Sequence, residues 1–172
     1  FQDKNQGRFL LGTALPIAEN IFNELKKLKE VHKINIGGSL RRMQESIGDI
    51  DILVTSNNAK KVMNAFTNLP EVTRVLAKGE TKSMILLKNG MQADVRVLND
   101  KNYPCALQYF TGNKEHNIIL RSIAIKKGLK LNEYGLFKKK TNKIIPIKDE
   151  QELYNKLGLQ YIEPELRQNN NE

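Results

Sequence analysis

Two aspartates one residue apart are the first residues of this chain whose type and spacing could do chemistry. Asp49 and Asp51 stand in "GDIDILV", inside an apolar run that is typical of a buried strand. Charges are costly there unless they are paired or bind a metal. Both side chains lie on one face of a strand, where they repel each other unless a cation lies between them. The pair therefore predicts an Mg²⁺ site, and the alternative is a solvated strand edge.

A third aspartate, Asp94, is expected on the polar face of a neighbouring strand. Asn89-Gly90 precedes that strand and is the strongest two-residue hairpin signal in a sequence. A tight turn there places Asp94 opposite Ile85. It places Arg96 opposite Ser83, with the polar residues of "QADVRV" on one face. Three carboxylates on adjacent strands can hold two metal ions that activate a hydroxyl and steady a leaving pyrophosphate.

A glycine-serine turn lies just before the aspartate pair. In "IGGSLRR" a strand ends in glycine and a short helix begins at Ser39. The unpaired N–H groups at such a helix start attract anions, especially phosphate. Arg41 and Arg42 follow, and one of them can reach the same anion. An ordinary helix cap is the alternative, but the nearby aspartates favour a joint metal and phosphate site.

A polar stripe is predicted on a helix over 113–127. Asn113, Asn117 and Arg121 are spaced four apart and share one face. Such side chains can hydrogen-bond base edges in a minor groove, or they can form only the wet face of a helix. Tyr109-Phe110, just before this helix, offers a flat surface for a sugar or a base.

Composition restricts the class of protein. The chain has 172 residues, 40% of them hydrophobic, and a formal net charge of +9. That charge favours a polyanionic partner, although a generally basic proteome would give the same excess. Cys105 is the single cysteine, so no intrachain disulfide can form, and we expect it to pack in the core. We expect no membrane span and no signal peptide. A single cysteine suits a reducing compartment, and we expect a cytoplasmic protein.

Hydrophobic periodicity predicts the elements that must position these residues. A helix over 13–30 is expected to be capped by Thr13, with Pro16 in its first turn. The next elements are the strand "KINIGG", a short helix from Ser39, the strand "DIDILV", the helix "NNAKKVMNAFTNL" and strands over 72–78, 81–88 and 91–98. After residues 99–102, which we predict as a boundary, come helices over 103–109 and 113–127, strands over 129–131, 136–138 and 144–145, and a helix over 149–157. The tail "RQNNNE" is predicted to be a polar end or linker.

Four segments in order resemble the family X DNA polymerases, the polymerase beta class. They are "GGSLRR…IGDIDILV", "ADVRV", "LQYFTGNKEHNIILR" and "LKLNEYGLF", and they cover nearly the whole chain. "GNKEHN", "NEYGLF" and "LGLQYIEPELR" are most similar to the bacterial and archaeal branch.

The resemblance implies an α+β fold in two parts. Residues 1–99 would form a nucleotidyltransferase palm with a mixed β-sheet packed on helices. Residues 100–172 would form a small α/β nucleotide-selecting subdomain, called thumb or fingers, with a polar C-terminal linker. The implied function is a DNA-directed DNA polymerase core that uses two Mg²⁺ ions, or Mn²⁺ as a substitute, in gap-filling repair. Its partners would be primer-template or gapped DNA and a dNTP, and the protein would be a monomer.

The resemblance also implies roles for particular residues. Asp49, Asp51 and Asp94 would bind the metals, and Asp94 would help to activate the primer 3′-OH. The residues expected at the nucleotide are Gly38, Ser39, Arg42, Gly48, Tyr109, Phe110, Gly112 and Asn117. The residues expected at DNA are Arg96, Arg121 and Tyr134. The family has a cis bond after the glycine of its F-T-G motif, here Gly112-Asn113. Gln92 replaces a basic residue of vertebrate relatives, so activation of the hydroxyl is expected to differ in detail.

Several alternatives stay open at this point. The helix-hairpin-helix and phosphoesterase regions of the family are not seen, so we expect the polymerase core of a longer protein. A template-independent enzyme, or one that modifies a small molecule, RNA or protein, would use the same turn and aspartates. A DNA-binding module with an inactive site is a third hypothesis. His116 is either a surface residue or a nucleotide contact, and Lys138–Lys140 contact either a phosphate backbone or only water.

Overall fold

The computed structural model describes residues 7–168, and the chain divides into two compact units between Leu98 and Asn99. The elements of the first unit, in chain order, are β1 (Phe9–Leu10), α1 (Leu11–Lys26), β2 (Val31–Ile36), α2 (Gly38–Arg41), β3 (Ser46–Ile47), β4 (Ile50–Ser56), α3 (Ala59–Thr67), β5 (Val72–Lys78), β6 (Lys82–Leu87) and β7 (Gln92–Leu98).

A five-stranded mixed sheet organises the first unit, in the order β2-β4-β7-β6-β5. β4 and β7 are parallel, and the other neighbours are antiparallel. One face of the sheet packs on α1 and α3 through a single cluster, in which Ile21, Phe66 and Ile52 are almost fully buried. Each such side chain contributes on the order of 2 kcal/mol to folding. The predicted α+β class, with a mixed sheet against helices, is confirmed.

The predicted start of α1 is wrong. The helix begins at Leu11 and ends at Lys26, so Thr13 lies within its first turn and caps nothing, and Pro16 lies inside the helix. β1 leads directly into α1, and the N–H of Leu11 donates to the carbonyl of Glu45 at 3.0 Å. A backbone partner distant in sequence thus replaces the local cap that the sequence pattern suggested.

The hairpin between β6 and β7 forms at the predicted place but with its register shifted by one residue. Asp94 pairs with Met84 instead of Ile85, and Arg96 pairs with Lys82 instead of Ser83. The N–H of Leu87 donates to the carbonyl of Met91 at 2.8 Å, so the loop has three residues. Gly90 has a φ of +87°, as the last residue of such a loop requires. The shift puts Ile85 in the core.

The second unit combines helices with a small antiparallel sheet. Its elements are α4 (Tyr103–Thr111), α5 (Lys114–Lys126), β8 (Leu129–Asn132), β9 (Gly135–Lys138), β10 (Ile144–Ile145), α6 (Glu150–Lys156) and a 3₁₀ turn (Pro164–Leu166). The strand order is β10-β9-β8. Cys105 is buried in the core of this unit, as expected, and that burial raises the pKa of its thiol to about 12.

The prediction of a polar C-terminal linker is wrong at Arg167, whose side chain is 0% exposed. Its Nη1 lies 2.6 Å from Oε2 of Glu150. Its guanidinium lies 5.2 Å from the ring centroid of Tyr154 and 5.4 Å from that of Tyr161. Residues 169–172 of the predicted linker lie outside the described residues. Between residues 7 and 168, no helix is long and apolar enough to cross a membrane.

Candidate active site

The parallel pairing of β4 and β7 brings two of the three aspartates together. Asp51 and Asp94 are direct partners in the register of these strands. Alternation puts both on the face of the sheet opposite the α1 and α3 core, since their neighbours Ile50, Ile52 and Val95 are buried there. Asp49 directly precedes β4. The polar face predicted for Asp94 is therefore present.

Burial, and after it mutual repulsion, raises the pKa values of Asp49 and Asp51. Burial raises the pKa of Asp51 to about 6, and the charges of Asp94 and Asp49 add to the effect, while Arg96 and Lys82 oppose it. The pKa of Asp49 is also raised, first by burial and then by Asp94, and Arg8 acts against this. A bound cation would relieve the repulsion and favour the ionised forms of Asp49 and Asp51.

The donor set suits a hard divalent ion. No three His, Cys, Asp or Glu side chains among residues 7–168 lie close enough to surround one ion in this arrangement. Mg²⁺, however, is usually held by one or two carboxylates together with waters and substrate phosphates. A pair such as Asp51 and Asp94 meets that requirement, and the raised pKa of Asp51 marks a place where positive charge is needed.

The glycine turn and the acidic strand form one structural unit. The N–H of Gly37 donates to the carbonyl of Asp51 at 2.8 Å. Gly38 follows with a φ of +63°, and a Cβ built on it would lie 2.8 Å from Oδ2 of Asp51. Glycine is therefore required at position 38 both for its backbone conformation and for space. The turn can approach the carboxylate only because no side chain stands between them.

A polar cavity of about 490 Å³ opens beside this turn. Its lining residues share hydroxyl, amide or charged groups, apart from one methionine: Arg8, Ser39, Arg42, Met43, Gln44, Glu45 and Ser46. Arg8 donates to Oγ of Ser46 and to its carbonyl, both at 2.7 Å. Two guanidinium groups and two hydroxyls on one cavity can hold an anion such as a phosphate.

Arg8 is a site residue that sequence analysis did not identify. It reaches the cavity because β1 pairs with β3, with Phe9 opposite Ile47. Strands of two residues carry no periodicity, so nothing in the sequence could signal this pairing. Gly48, predicted at the nucleotide, lies beside it, because a Cβ on Gly48 would stand 3.4 Å from Nη1 of Arg8.

The second unit carries the remaining predicted nucleotide residues near the junction of α4 and α5. The rings of Tyr109 and Phe110 meet edge to face, with centroids 5.0 Å apart. Gly112 has a φ of +67°, and the Gly112-Asn113 peptide bond is cis, as the family resemblance implied. The side chain of Asn113 caps α5 by accepting from the N–H of His116 at 2.9 Å.

Asn117 holds α4 and α5 together. Its Oδ1 accepts from Nε2 of Gln108 at 2.7 Å, and its Nδ2 donates to the carbonyl of Tyr109 at 2.8 Å. Both polar atoms of the amide are thus engaged within the unit, and the predicted base contact stays a prediction. Arg121, one turn further along α5, is partly exposed.

The surface interpretation of His116 is wrong. The residue is 2% exposed, and its Nε2 lies 2.7 Å from the hydroxyl of Tyr154.

Tyr134, predicted at DNA, is 60% exposed at the turn between β8 and β9. Arg96 lies on the polar face of β7, beside Lys82. The structure thus places Asp49, Asp51, Asp94, Gly38, Ser39, Arg42, Gly48 and Arg96 in the first unit and the other predicted site residues in the second.

The fold, together with an acidic pair beside a glycine turn, indicates a nucleotidyltransferase, and comparison with known proteins identifies the family. The family model described as DNA polymerase beta palm matches residues 14–127. The model described as DNA polymerase beta thumb matches residues 106–168. The two matches overlap, so they do not fix one boundary residue, and the division at 99–100 into palm and nucleotide-selecting parts stays a prediction.

Two named relatives agree with these matches. The DNA polymerase/3′-5′ exonuclease PolX of Bacillus subtilis (strain 168) is 34% identical over 171 residues, which are 98% of this chain and 30% of the relative. Repair DNA polymerase X of African swine fever virus is 33% identical over 136 residues, 76% of this chain and 78% of the relative. The chain belongs to the family X DNA polymerases, a family that depends on divalent metals. It spans less than a third of the length of the bacterial relative.

Proposed function

We propose that this chain catalyses template-directed addition of deoxynucleotides to a primer 3′-OH, in the filling of short gaps during DNA repair. The observation that carries the proposal is the parallel register that pairs Asp51 with Asp94 directly behind the Gly38 turn. It joins a cation-seeking acidic pair to a phosphate-binding turn, which nucleotidyl transfer requires. The names of both relatives, each a DNA polymerase, support DNA as the acceptor.

The carboxylates of Asp49, Asp51 and Asp94 would hold two divalent ions. Bound Mg²⁺, or Mn²⁺ in its place, would lower the pKa of the primer hydroxyl and stabilise the leaving pyrophosphate. Nε2 of Gln92 donates to Oδ1 of Asp94 at 3.0 Å, which fixes the orientation of this carboxylate. The amide of Gln92 is not a base, so Gln92 would orient Asp94 without accepting the proton of the primer hydroxyl.

The cavity beside the turn would receive the triphosphate. Backbone N–H groups at Gly38 and Ser39 would donate to phosphate oxygens. Gly48 would lie at the nucleotide as well, beside Arg8. Arg42 and Arg8 would supply charge-assisted hydrogen bonds from two sides of the cavity. Because Arg8 is already oriented by Ser46, it would bind an anion with little loss of side-chain freedom.

The second unit would select the nucleotide. Tyr109 and Phe110 would lie against the incoming sugar, with Gly112 leading into α5. Asn117 would contact the incoming base. Arg121 would contact the template strand, and Arg96 and Tyr134 would make further contacts with gapped DNA or primer-template. The enzyme would act as a monomer.

Primer extension on a gapped duplex tests the proposal. The parent chain should add the complementary nucleotide in Mg²⁺ or Mn²⁺. Asp94→Ala should abolish incorporation without unfolding the protein. Glu80→Ala, which removes an exposed carboxylate outside the site, should leave incorporation unchanged. Activity retained by Asp94→Ala would rule out the assigned metal site.

One observation favours a second candidate, template-independent nucleotidyl transfer. Each polar atom of the Asn117 amide already makes one hydrogen bond within the second unit, so only one N–H and one lone pair of the amide are left for a base. Incorporation of each dNTP opposite one fixed template base separates the two functions. Equal incorporation of all four would support the second candidate. Templated synthesis predicts a strong preference for the complementary dNTP. It also predicts that Arg121→Ala lowers templated synthesis more than it lowers metal or dNTP binding.

A further inference from the structure

Most of the net positive charge of this chain comes from one short segment. Residues 126–148 contain eight lysines, no arginine and a single acidic residue, Glu133. Their formal net charge is +7, compared with +9 for the whole chain. A field this localised attracts a polyanion to one place on the second unit, whereas a generally basic composition would spread the charge along the chain.

The fold of the second unit gathers the lysines of this segment at one end of its sheet. Leu129 pairs with Lys138, and the N–H of Lys139 donates to the carbonyl of Gly128 at 3.0 Å. The turn between β9 and β10 therefore lies beside the start of β8. We call the resulting group the lysine surface, formed by Lys130, Lys138, Lys139, Lys140 and Lys143, all of them exposed.

The lysine surface has no internal charge compensation. Within residues 7–168 none of its members forms an ion pair, and Glu133 stands in the turn at the opposite end of the hairpin. Exposed lysines elsewhere do find carboxylates: Lys27 lies 2.8 Å from Glu24. A solvated surface is usually laced with such pairs, and a cluster of like charges without them repels itself unless an anion is bound.

Two apolar side chains, Phe137 and Ile144, lie between these charges on the outer face of the sheet. Lys130 pairs with Phe137, and Phe137 pairs with Ile144, across the three strands. They face away from the buried Leu131 and Leu136. Nζ of Lys130 lies 5.1 Å from the ring centroid of Phe137. Cations interleaved with an aromatic ring are the arrangement on which unpaired nucleic acid binds, because its bases are free to stack.

We propose that the lysine surface binds the backbone of an unpaired DNA strand. This site lies on the second unit and is formed by residues other than those assigned to the metals and the nucleotide. The choice of DNA as the polyanion rests on the proposed function. The choice of an unpaired strand rests on the row of Phe137 and Ile144, which a fully paired duplex would have no free base to contact.

The test is the salt dependence of binding to a fluorescent single-stranded oligonucleotide, measured by anisotropy in EDTA without nucleotide. In the triple variant Lys139→Ala, Lys140→Ala and Lys143→Ala, the slope of log affinity against log salt should fall by about 2, at roughly 0.7 per lost phosphate contact. Affinity at 0.1 M salt should fall on the order of tenfold. Arginine at the same three positions should preserve the slope, which rules out a folding effect.

The matched control removes the same charge from the first unit, in the triple variant Lys26→Ala, Lys27→Ala and Lys29→Ala. These lysines lie at the end of α1 and just beyond it, and all are exposed. The control should keep the slope of the parent chain. An equal fall in both triple variants would show that only net charge matters, and this would overturn the proposal.

Three other outcomes would also overturn it: no binding by the parent chain, no fall in the triple variant, or an equal fall on a blunt duplex of the same length. Binding to vesicles of anionic lipid but not to the oligonucleotide would assign the surface to a membrane instead. Because the assay contains neither Mg²⁺ nor nucleotide, it does not depend on catalysis. If the parent chain fills gaps but the triple lysine variant binds the oligonucleotide as the parent does, this inference is rejected and the proposed function is not.

Discussion

Both units bury charged side chains, but they do so in opposite ways. In the first unit, Asp51 and Asp94 are neighbours of the same sign, with Asp49 close by, and the pKa of Asp51 is raised to about 6. In the second unit, Glu150 and Arg167 are neighbours of opposite sign, 2.6 Å apart and almost fully buried.

The difference separates a charge kept for chemistry from a charge kept for structure. Repulsion among the aspartates destabilises the folded chain, so an unfavourable cluster of this kind marks a functional site. The Glu150–Arg167 pair offsets its own desolvation through a charge-assisted hydrogen bond and two tyrosine rings. It also fixes the C-terminal segment to α5, because the carbonyl of Arg167 accepts from the N–H of Asn113 at 2.9 Å.

The largest expected effect comes from removing one charge of the acidic pair. Asp51→Asn should lower the rate of nucleotide addition by about 10³-fold or more, because metal-assisted charge stabilisation is worth several kcal/mol. The same variant should unfold at a higher urea concentration than the parent chain at pH 7.5, because a charge that is buried and repelled by its neighbours is gone. Rate is measured by single-turnover primer extension and stability by urea titration.

Loss of activity combined with loss of stability would break the comparison for Asp51. It would show that the carboxylate supports the fold as Glu150 does. Asp149→Asn is a suitable control, because Asp149 caps α6 and asparagine also caps helices well. That variant should change neither the rate nor the urea midpoint appreciably.

Removing one charge of the opposite-charge pair should lower the stability of the fold, whereas removing one charge of the acidic pair should raise it. Arg167→Met leaves Glu150 buried without its partner, which should cost about 3–5 kcal/mol of unfolding free energy in urea titration. Lys61→Met breaks the surface ion pair in which Nζ of Lys61 lies 3.1 Å from Oε1 of Glu30, and it should lower the free energy of unfolding far less. Temperature should be kept low, so that the Arg167→Met chain remains folded enough to measure.

The double variant Glu150→Leu and Arg167→Met sharpens this result. Removing both charges should recover most of the stability lost in Arg167→Met, since an apolar pair of similar size has no desolvation to offset. If the double variant is as unstable as the single one, packing of the arginine between Tyr154 and Tyr161 is the main contribution, and the electrostatic interpretation is wrong.

The pH dependence of stability gives a smaller effect of defined sign. The pKa of Asp51 is about 6 in the folded chain and near 3.9 in an unfolded one, so the folded state binds the proton more tightly. The contribution of this bound proton to the free energy of unfolding is complete below about pH 4 and is lost as the pH rises through 6. Without divalent ions, the gain from Asp51→Asn should grow by about 2 kcal/mol between pH 4 and pH 7.5.

Urea titrations of both chains at each pH measure this gain, and subtraction removes the other titrating groups. A gain that does not change with pH would mean that Asp51 titrates in its ordinary range. Added Mg²⁺ should reduce the gain at pH 7.5, since a cation relieves the same repulsion in the parent chain.

The sequence predicted most of the elements because their signals are local. α5 is capped by Asn113 and is followed by Gly128, and β5, β6 and β7 lie where alternation placed them. The aspartates of the candidate site were found in the same way, because a charge within an apolar strand needs no neighbour to be noticed. Their assigned roles stay predictions until the variants are measured.

Most of the failures concern contacts between residues that are distant in sequence, and one concerns the length of a local turn. The start of α1 depends on the carbonyl of Glu45, and Arg8 reaches the site through the pairing of two very short strands. The burial of Arg167 depends on Glu150 and two tyrosines. In the β6–β7 hairpin, Asn-Gly marked the turn correctly, but a three-residue loop ending at Gly90 set the register.

Gly38 and Gly90 form a matched pair for the smallest effect. Both have positive φ, +63° and +87°, but a Cβ on Gly38 would lie 2.8 Å from Oδ2 of Asp51, and one on Gly90 would meet nothing within 4 Å. Gly90→Ala should therefore lower the free energy of unfolding by about 1 kcal/mol, which is the cost of a positive φ for alanine. Gly38→Ala should cost about 1 kcal/mol more in urea titration, and it should lower the rate of primer extension at least tenfold.

The additional loss in Gly38→Ala measures how closely the turn must approach the acidic strand. In Gly38→Ala the methyl group must move Asp51 or the turn itself, so phosphate and metal could no longer be held at the distance that the parent chain provides. Equal stability losses with full activity in both variants would mean that Gly38 serves only the turn, and that the turn and the carboxylates act independently. Unequal losses, with activity affected only at Gly38, would show that the like-charged cluster of the first unit tolerates no displacement.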